Sequence, residues 1–147
     1  MKVAIFPPNS LILADLVERS GHEPLTIMKE LSDRVRDPEI DSPPLNITSE
    51  DPSKGLKYAS AEAPSGVRGR LAIFAPVFEK ADAIVVLKDA PMSFGCLGCA
   101  RTNEFLLYMI RSMKVPKLIL DYPSDEQGSK AVVKQIMDFL KGVGKDD

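Results

Sequence analysis

The two cysteines of the chain fall together as Cys96-Leu97-Gly98-Cys99, and its one histidine is His22. A Cys-x-x-Cys pair can exchange with disulfides as a dithiol, close a small disulfide of its own, or present two thiolates to a metal. Two thiolates do not complete a tetrahedral site, and the chain has no second Cys-x-x-Cys. A metal or iron–sulfur centre on Cys96 and Cys99 would therefore draw its other ligands from a second chain, in a homodimer or with a protein partner. His22 cannot build a His-rich site alone, and any Ser or Cys triad would have to use it as the base. The cysteines stand near the start of an expected helix, where unpaired N–H groups and the adjacent Arg101 favour the thiolate. Gly95 and Gly98 allow tight turns and close approach to the backbone. With Arg101 and Ser93, the backbone there could also hold an anionic group. The plain alternative is that the cysteines are two small buried residues with a packing role.

Weaker candidates surround this loop. Asn103 and Glu104 follow it as polar residues, and Asp89 and Asp121 at strand ends are candidate carboxylates for Mg²⁺. No Walker motif, no G-x-G-x-x-G after a strand and no nucleophile elbow occurs, so nucleotide binding would rest on position alone and a hydrolase is disfavoured. His22, just past a helix terminus, reads as a surface residue.

The elements that must position these groups follow from the apolar pattern. Lys2–Phe6 is short, apolar and bounded by Pro7-Pro8, as a buried strand should be. Asn9 or Ser10 then caps a helix with Leu11, Ala14, Leu16 and Val17 inward, and Gly21 ends it. Pro24–Met28 is a second strand candidate. The stretch from about 29 to 64 carries five of the 12 prolines and reads as a Pro-rich peripheral excursion outside the sheet. A short helix is expected over Lys29–Arg36, another capped by Ser49 through Lys57, and loop over Ser42–Asn46. Val67, Leu71, Phe74 and Phe78 mark one face of a helix that Pro76 should kink or split. Ala83–Leu87 is apolar throughout, as a central parallel strand is. Asn103–Met113 reads as a helix with Phe105, Met109 and Ile110 inward, Lys117–Leu120 as a strand, and Asp125–Gly142 as a last helix capped by Ser124.

The expected fold is a single α/β domain over residues 1–147, small, three-layered and Rossmann-like. Its mainly parallel sheet should run in an order such as 2-1-3-4. A thioredoxin fold is rejected, because there the Cys-x-x-Cys follows an early strand, whereas here it follows the third. Ligands of an open α/β sheet gather at the carboxyl ends of its strands. Asn9 and Ser10 after the first strand should therefore line that edge opposite Gly95, Cys96, Gly98, Cys99 and Arg101.

Composition limits the partners. Lys plus Arg number 19 and Asp plus Glu 21, a net charge of -2, and aromatics make up 6% with no Trp. No basic stripe or stacking platform for nucleic acid results. No apolar run reaches the roughly 18–20 residues of a membrane span, and the first residues do not resemble a signal peptide, so a cytoplasmic protein without membrane insertion is expected.

Two stretches carry a family likeness. Pro7-Pro8-Asn9-Ser10-Leu11-Ile12-Leu13-Ala14-Asp15-Leu16-Val17-Glu18-Arg19 with Gly21, and Gly95-Cys96-Leu97-Gly98-Cys99-Ala100-Arg101-Thr102-Asn103-Glu104, resemble methanogenesis marker protein 5. The likeness runs over essentially the whole chain, with the cysteine stretch its most distinctive part. It implies a protein of methanogenic archaea, linked to methanogenesis by where the family occurs, in anaerobes where reduced thiols or an oxygen-sensitive centre survive. It supplies no catalytic residues. Two functions stay open. One is a redox or metal/cofactor accessory protein working through Cys96 and Cys99; the other is a non-catalytic module that binds a phosphate-bearing cofactor or a partner protein at the same cleft.

Overall fold

The computed structural model describes residues 1–28, 32, 48–89 and 97–144. The expected loop over 42–46, most of the expected helix over 29–36, and Ser93, Gly95 and Cys96 lie outside them. By its internal contacts the chain divides into two compact units. One comprises Met1–Thr26, Lys80–Ser93 and Lys114–Asp147, the other Ile27–Glu79 and Phe94–Met113.

The first unit holds the sheet. Its strands are β1 (Lys2–Phe6), β2 (Glu23–Leu25), β3 (Ala83–Lys88) and β4 (Lys117–Asp121), with helix α1 (Leu11–Arg19) between β1 and β2. They form a four-stranded sheet in the order β2-β1-β3-β4, and every pairing is parallel. The chain is thus α/β with a Rossmann-like parallel sheet, in the strand order expected. Val3 pairs with Ala83 and Phe6 with Val86 across the centre, and Lys88 pairs with Asp121 at the carboxyl end. The apolar runs form central strands because they can be buried on both faces, and Ala4, Ile5, Ile84 and Val85 are all fully buried. β2 is shorter than the apolar reading of Pro24–Met28 suggests. It is an edge strand, the position that tolerates Pro24, and it stops at Leu25.

Alternate residues of β1 and β3, namely Val3, Ile5, Ala83 and Val85, form one cluster with Leu13 and Val17 of α1 and with Ile136 and Leu140 of the last helix. The inward face of α1 is centred on Leu13 and Val17, one helical turn apart, with the expected Ala14 and Leu16 packed half-buried against the same cluster. Leu11 and Ile12, at 74% and 73% exposure, face outward, against the expectation for Leu11. Ser10 caps α1 by accepting a hydrogen bond from the Leu13 amide at 3.3 Å. At the other end Gly21 has φ +82. The Gly21 amide donates to Glu18 and the His22 amide to Val17, a Schellman closure that needs the left-handed residue.

The last helix, which we label α5, covers Glu126–Val143. Asp125, not Ser124, caps it, its carboxylate accepting from the Gly128 amide at 2.6 Å. His22 is not a plain surface residue. Half-buried, its Nε2 lies 2.9 Å from the Leu140 carbonyl oxygen, tying the start of β2 to the end of α5.

The second unit is helical. A short helix α2 (Asp51–Lys54) runs into a 3-10 turn (Gly55–Lys57), followed by α3 (Ser65–Glu79) and α4 (Leu97–Ser112). Ser49 does not cap α2. The Asp51 carboxylate, 1% exposed, accepts from the Thr48 amide at 2.7 Å instead. The described end of the Pro-rich stretch, from residue 48, is packed rather than merely solvated. Arg68 of α3 donates from Nη1 to the Pro52 carbonyl at 2.8 Å and from Nε to the Ala63 carbonyl at 3.1 Å, clamping both ends of the connection. Gly55 approaches α3 so closely that an added Cβ would collide with the backbone of Arg68.

Helix α3 runs unbroken through Pro76, which sits in its last turn and so removes a single hydrogen bond near the end. Val67, Leu71 and Phe78 are buried as the spacing predicts, but Gly69, Ile73 and Val77 are buried as well. A helix apolar on more than one side has neighbours on more than one side. In α4 the buried stripe is Thr102, Asn103, Leu106 and Ile110, whereas Phe105 faces outward. Ile110 is buried as expected and Met109 half-buried, but Leu106 takes the inward place expected of Phe105. Buried Thr102 satisfies its hydroxyl by donating to the Gly98 carbonyl at 2.8 Å.

A polar cluster joins the 3-10 turn to the end of α3. Lys57 Nζ lies 2.8 Å from each carboxylate oxygen of Glu79 and 5.0 Å from the centre of the Tyr58 ring, and Tyr58 Oη donates to Glu79 at 3.1 Å. The hydrogen bonds to Glu79 hold the Lys57 ammonium above its usual range. Burial pushes the Tyr58 phenol up, with Lys57 opposing and Glu79 assisting. Both folded values are raised, so the contribution is fully present below about pH 10 and is lost as pH rises through the folded values. Urea midpoints compared at about pH 8 and about pH 11 should fall further for the native chain than for Glu79→Gln. Equal losses would show that the cluster has no part in the alkaline limb.

Candidate functional site

Gly98, Cys99 and Arg101 all lie in the opening turns of α4, a helix of 16 residues that begins six residues before the expected Asn103. Gly98 was expected in a turn, but a helix's first amides need no intrahelical acceptor, so glycine is tolerated there. Cys99 is half-buried on the first turn, while Leu97 at the tip is 73% exposed. Gly98 and Arg101 line one groove with Pro64, Gly66, Val67 and Arg70 of the start of α3, a space of about 360 Å³. A second depression of about 480 Å³ runs along the outer face of α4 over Arg101, Glu104, Phe105 and Tyr108. Arg101 borders both.

Asn9 and Ser10 belong to the sheet unit, at the carboxyl end of β1. There Asn9 is exposed, and Ser10 uses its hydroxyl as the α1 cap. The carboxylate candidates separate into two cases. Asp121 is ion-paired with Lys88, Nζ to Oδ1 at 2.8 Å, across the ends of β3 and β4, so its charge is already met. Asp89 has φ 59, the left-handed region that Asp enters more readily than most residues. Among the described residues, no group of three or more His, Cys, Asp or Glu could hold a metal ion. Among the same residues, no helix is long and apolar enough to cross a membrane.

Arg70 is the site residue that sequence reasoning missed. It sits in Gly66-Val67-Arg68-Gly69-Arg70, where two arginines interrupt an otherwise apolar helix. That interruption was the available signal, since a charge set among core positions must meet a partner or a ligand.

The fold is that of an α/β protein with a Rossmann-like parallel sheet, and a largely apolar groove lies between the starts of α3 and α4. The chain belongs to the family described as "Uncharacterized protein conserved in archaea (DUF2112)", whose model matches residues 1–143. It is 54% identical over 142 residues to Uncharacterized protein MJ0404 of Methanocaldococcus jannaschii, a match covering 97% of this chain and 95% of that one. No solved structure matches the chain.

Proposed function

We propose that the chain is an accessory protein of methanogenesis that binds a phosphate-bearing cofactor at the start of α4. Gly95, Gly98 and Arg101 are the residues that receive the phosphate. One observation carries this reading: Gly98 and Arg101 line a single groove with the start of α3, beside the amides of a long helix's first turn. The likeness to methanogenesis marker protein 5 and the relative from Methanocaldococcus jannaschii support the metabolic setting.

The test is a titration with inorganic phosphate followed by amide chemical shifts. Phosphate should move the Gly98 and Cys99 signals, and Arg101→Met should weaken the effect about tenfold. Shifts absent at millimolar phosphate, or unchanged in the variant, would remove this reading.

A second reading uses the thiols. Cys99 is half-buried in the first turn of α4, within reach of an approaching partner. As a dithiol, Cys96 and Cys99 would reduce a disulfide of that partner to two thiols and become a disulfide themselves. As a metal half-site they would need ligands from a second copy or another protein. Maleimide labelling under strict anaerobiosis should modify both cysteines promptly; inert thiols would leave the phosphate reading alone.

A further inference from the structure

We propose that β4 is the seam of a homodimer, in which two copies of the chain join their sheets by pairing β4 with β4 antiparallel about a two-fold axis at Ile119. The inference is independent of the phosphate reading, because β4 lies in the sheet unit and the groove is lined by the helical one.

The two edges of the sheet are built differently. β2 has three residues and carries Pro24, so it is short and lacks a donor, two devices that discourage further pairing. β4 has five residues, Lys117-Leu118-Ile119-Leu120-Asp121, with no proline, and Lys117 through Leu120 are half-buried. Its inner side is bonded to β3. The Ile84 amide donates to the Pro116 carbonyl at 3.0 Å, and the Tyr122 amide to the Lys88 carbonyl at 2.9 Å. Successive residues of a strand turn their backbone groups to opposite sides, so the even positions from 116 to 122 face β3. The N–H and C=O groups of Lys117, Ile119 and Asp121 therefore point out of the open edge, where no strand among the described residues meets them.

The occupant follows from the order of side chains along β4, which is complementary to itself when reversed. Antiparallel pairing centred on Ile119 sets Lys117 opposite the partner's Asp121, and Asp121 opposite the partner's Lys117. Leu118 then faces Leu120, and Ile119 its own counterpart. The three outward positions are the ones that exchange hydrogen bonds in this register, so about six backbone bonds form across the seam. Moving the axis by one residue would set Lys117 opposite Ile119 or Pro123 and lose both ion pairs. A lysine on an edge strand ordinarily repels a second strand; here the register brings it a carboxylate. Asp121 already meets Lys88 at 2.8 Å, yet its side chain stays 78% exposed and can accept from a second lysine.

The experiment follows the mass of the full chain by sedimentation over a dilution series. The native chain should form a dimer that dissociates on dilution. Lys117→Glu places two pairs of acids across the seam and Asp121→Lys two pairs of lysines, so each variant alone should dimerise about tenfold or more weakly. Mixed one to one, the two variants should recover the dimer, because every cross-strand charge pair is then of opposite sign. Amide exchange on the native chain tests the seam without any substitution. The Ile119 amide should be protected in the dimer and lose that protection on dilution, and this result decides the matter if either variant fails to fold by circular dichroism. A native chain that stays monomeric up to millimolar concentration would overturn the inference. So would a dimer indifferent to both substitutions, two folded variants that do not recover on mixing, or an Ile119 amide that exchanges equally fast in dimer and monomer.

Discussion

Replacing Gly55 by alanine should destabilise the chain by about 3 kcal/mol, read as a large drop in the urea midpoint followed by circular dichroism. The cause is steric. A Cβ at Gly55 would meet the carbonyl oxygen, carbonyl carbon and Cα of Arg68, all backbone atoms of α3. A flexible side chain could swing aside, but a helix backbone cannot move without its neighbours. Displacing α3 would also lengthen the bonds from Arg68 to the Pro52 and Ala63 carbonyls, so two charge-assisted hydrogen bonds weaken with the contact. Gly142→Ala is the matched control. A Cβ there has nothing within 4 Å, and the change should stabilise α5 by up to about 1 kcal/mol through helix propensity alone. An unchanged midpoint for Gly55→Ala would mean that the turn and α3 do not touch as described.

Leu140→Ala should cost about 3 kcal/mol in the sheet unit. Leu140 is fully buried in the cluster formed by β1, β3, α1 and α5, where a shortened side chain leaves a cavity between helices and sheet. Val133→Ala, on the same helix but at a residue 40% exposed, should change stability by less than about 0.5 kcal/mol. The pair of midpoints separates loss of packing from any general effect on α5. Similar small losses for both would place the core elsewhere.

Strands were the most legible part of the sequence. Ala83–Leu87 and Lys2–Phe6 are apolar without alternation, and only a strand covered on both faces accommodates such runs. Helix faces were harder to read. In α1, Leu11, Leu13 and Val17 are all apolar, and only packing decides that Leu13 and Val17 turn inward while Leu11 stays out. The same ambiguity displaced the inward stripe of α4 from Phe105 to Leu106. Caps depend on one torsion angle, so Ser124 and Asp125 were equally good on paper. The contact of Gly55 with Arg68 left no local mark, because it joins segments that approach only after folding. Of the candidate site, Gly98 and Arg101 were legible from glycine and charge beside a helix start. Arg70 was not, since its place on the same groove as Arg101 depends on how α3 and α4 pair.

The two compact units are interleaved along the chain, each being assembled from separated stretches. Synthesis therefore cannot finish one before starting the other. β1 emerges first, yet its neighbour β3 begins only at Ala83, roughly 80 residues and about 4–16 s of translation later. In that interval the apolar β1 segment has β2 on one side and an open edge on the other. The nascent chain must therefore wait for β3 across much of its own synthesis before that edge of β1 is paired. By the same threading, no single cut yields either unit whole, and genetic splitting of this protein would have to supply both pieces together.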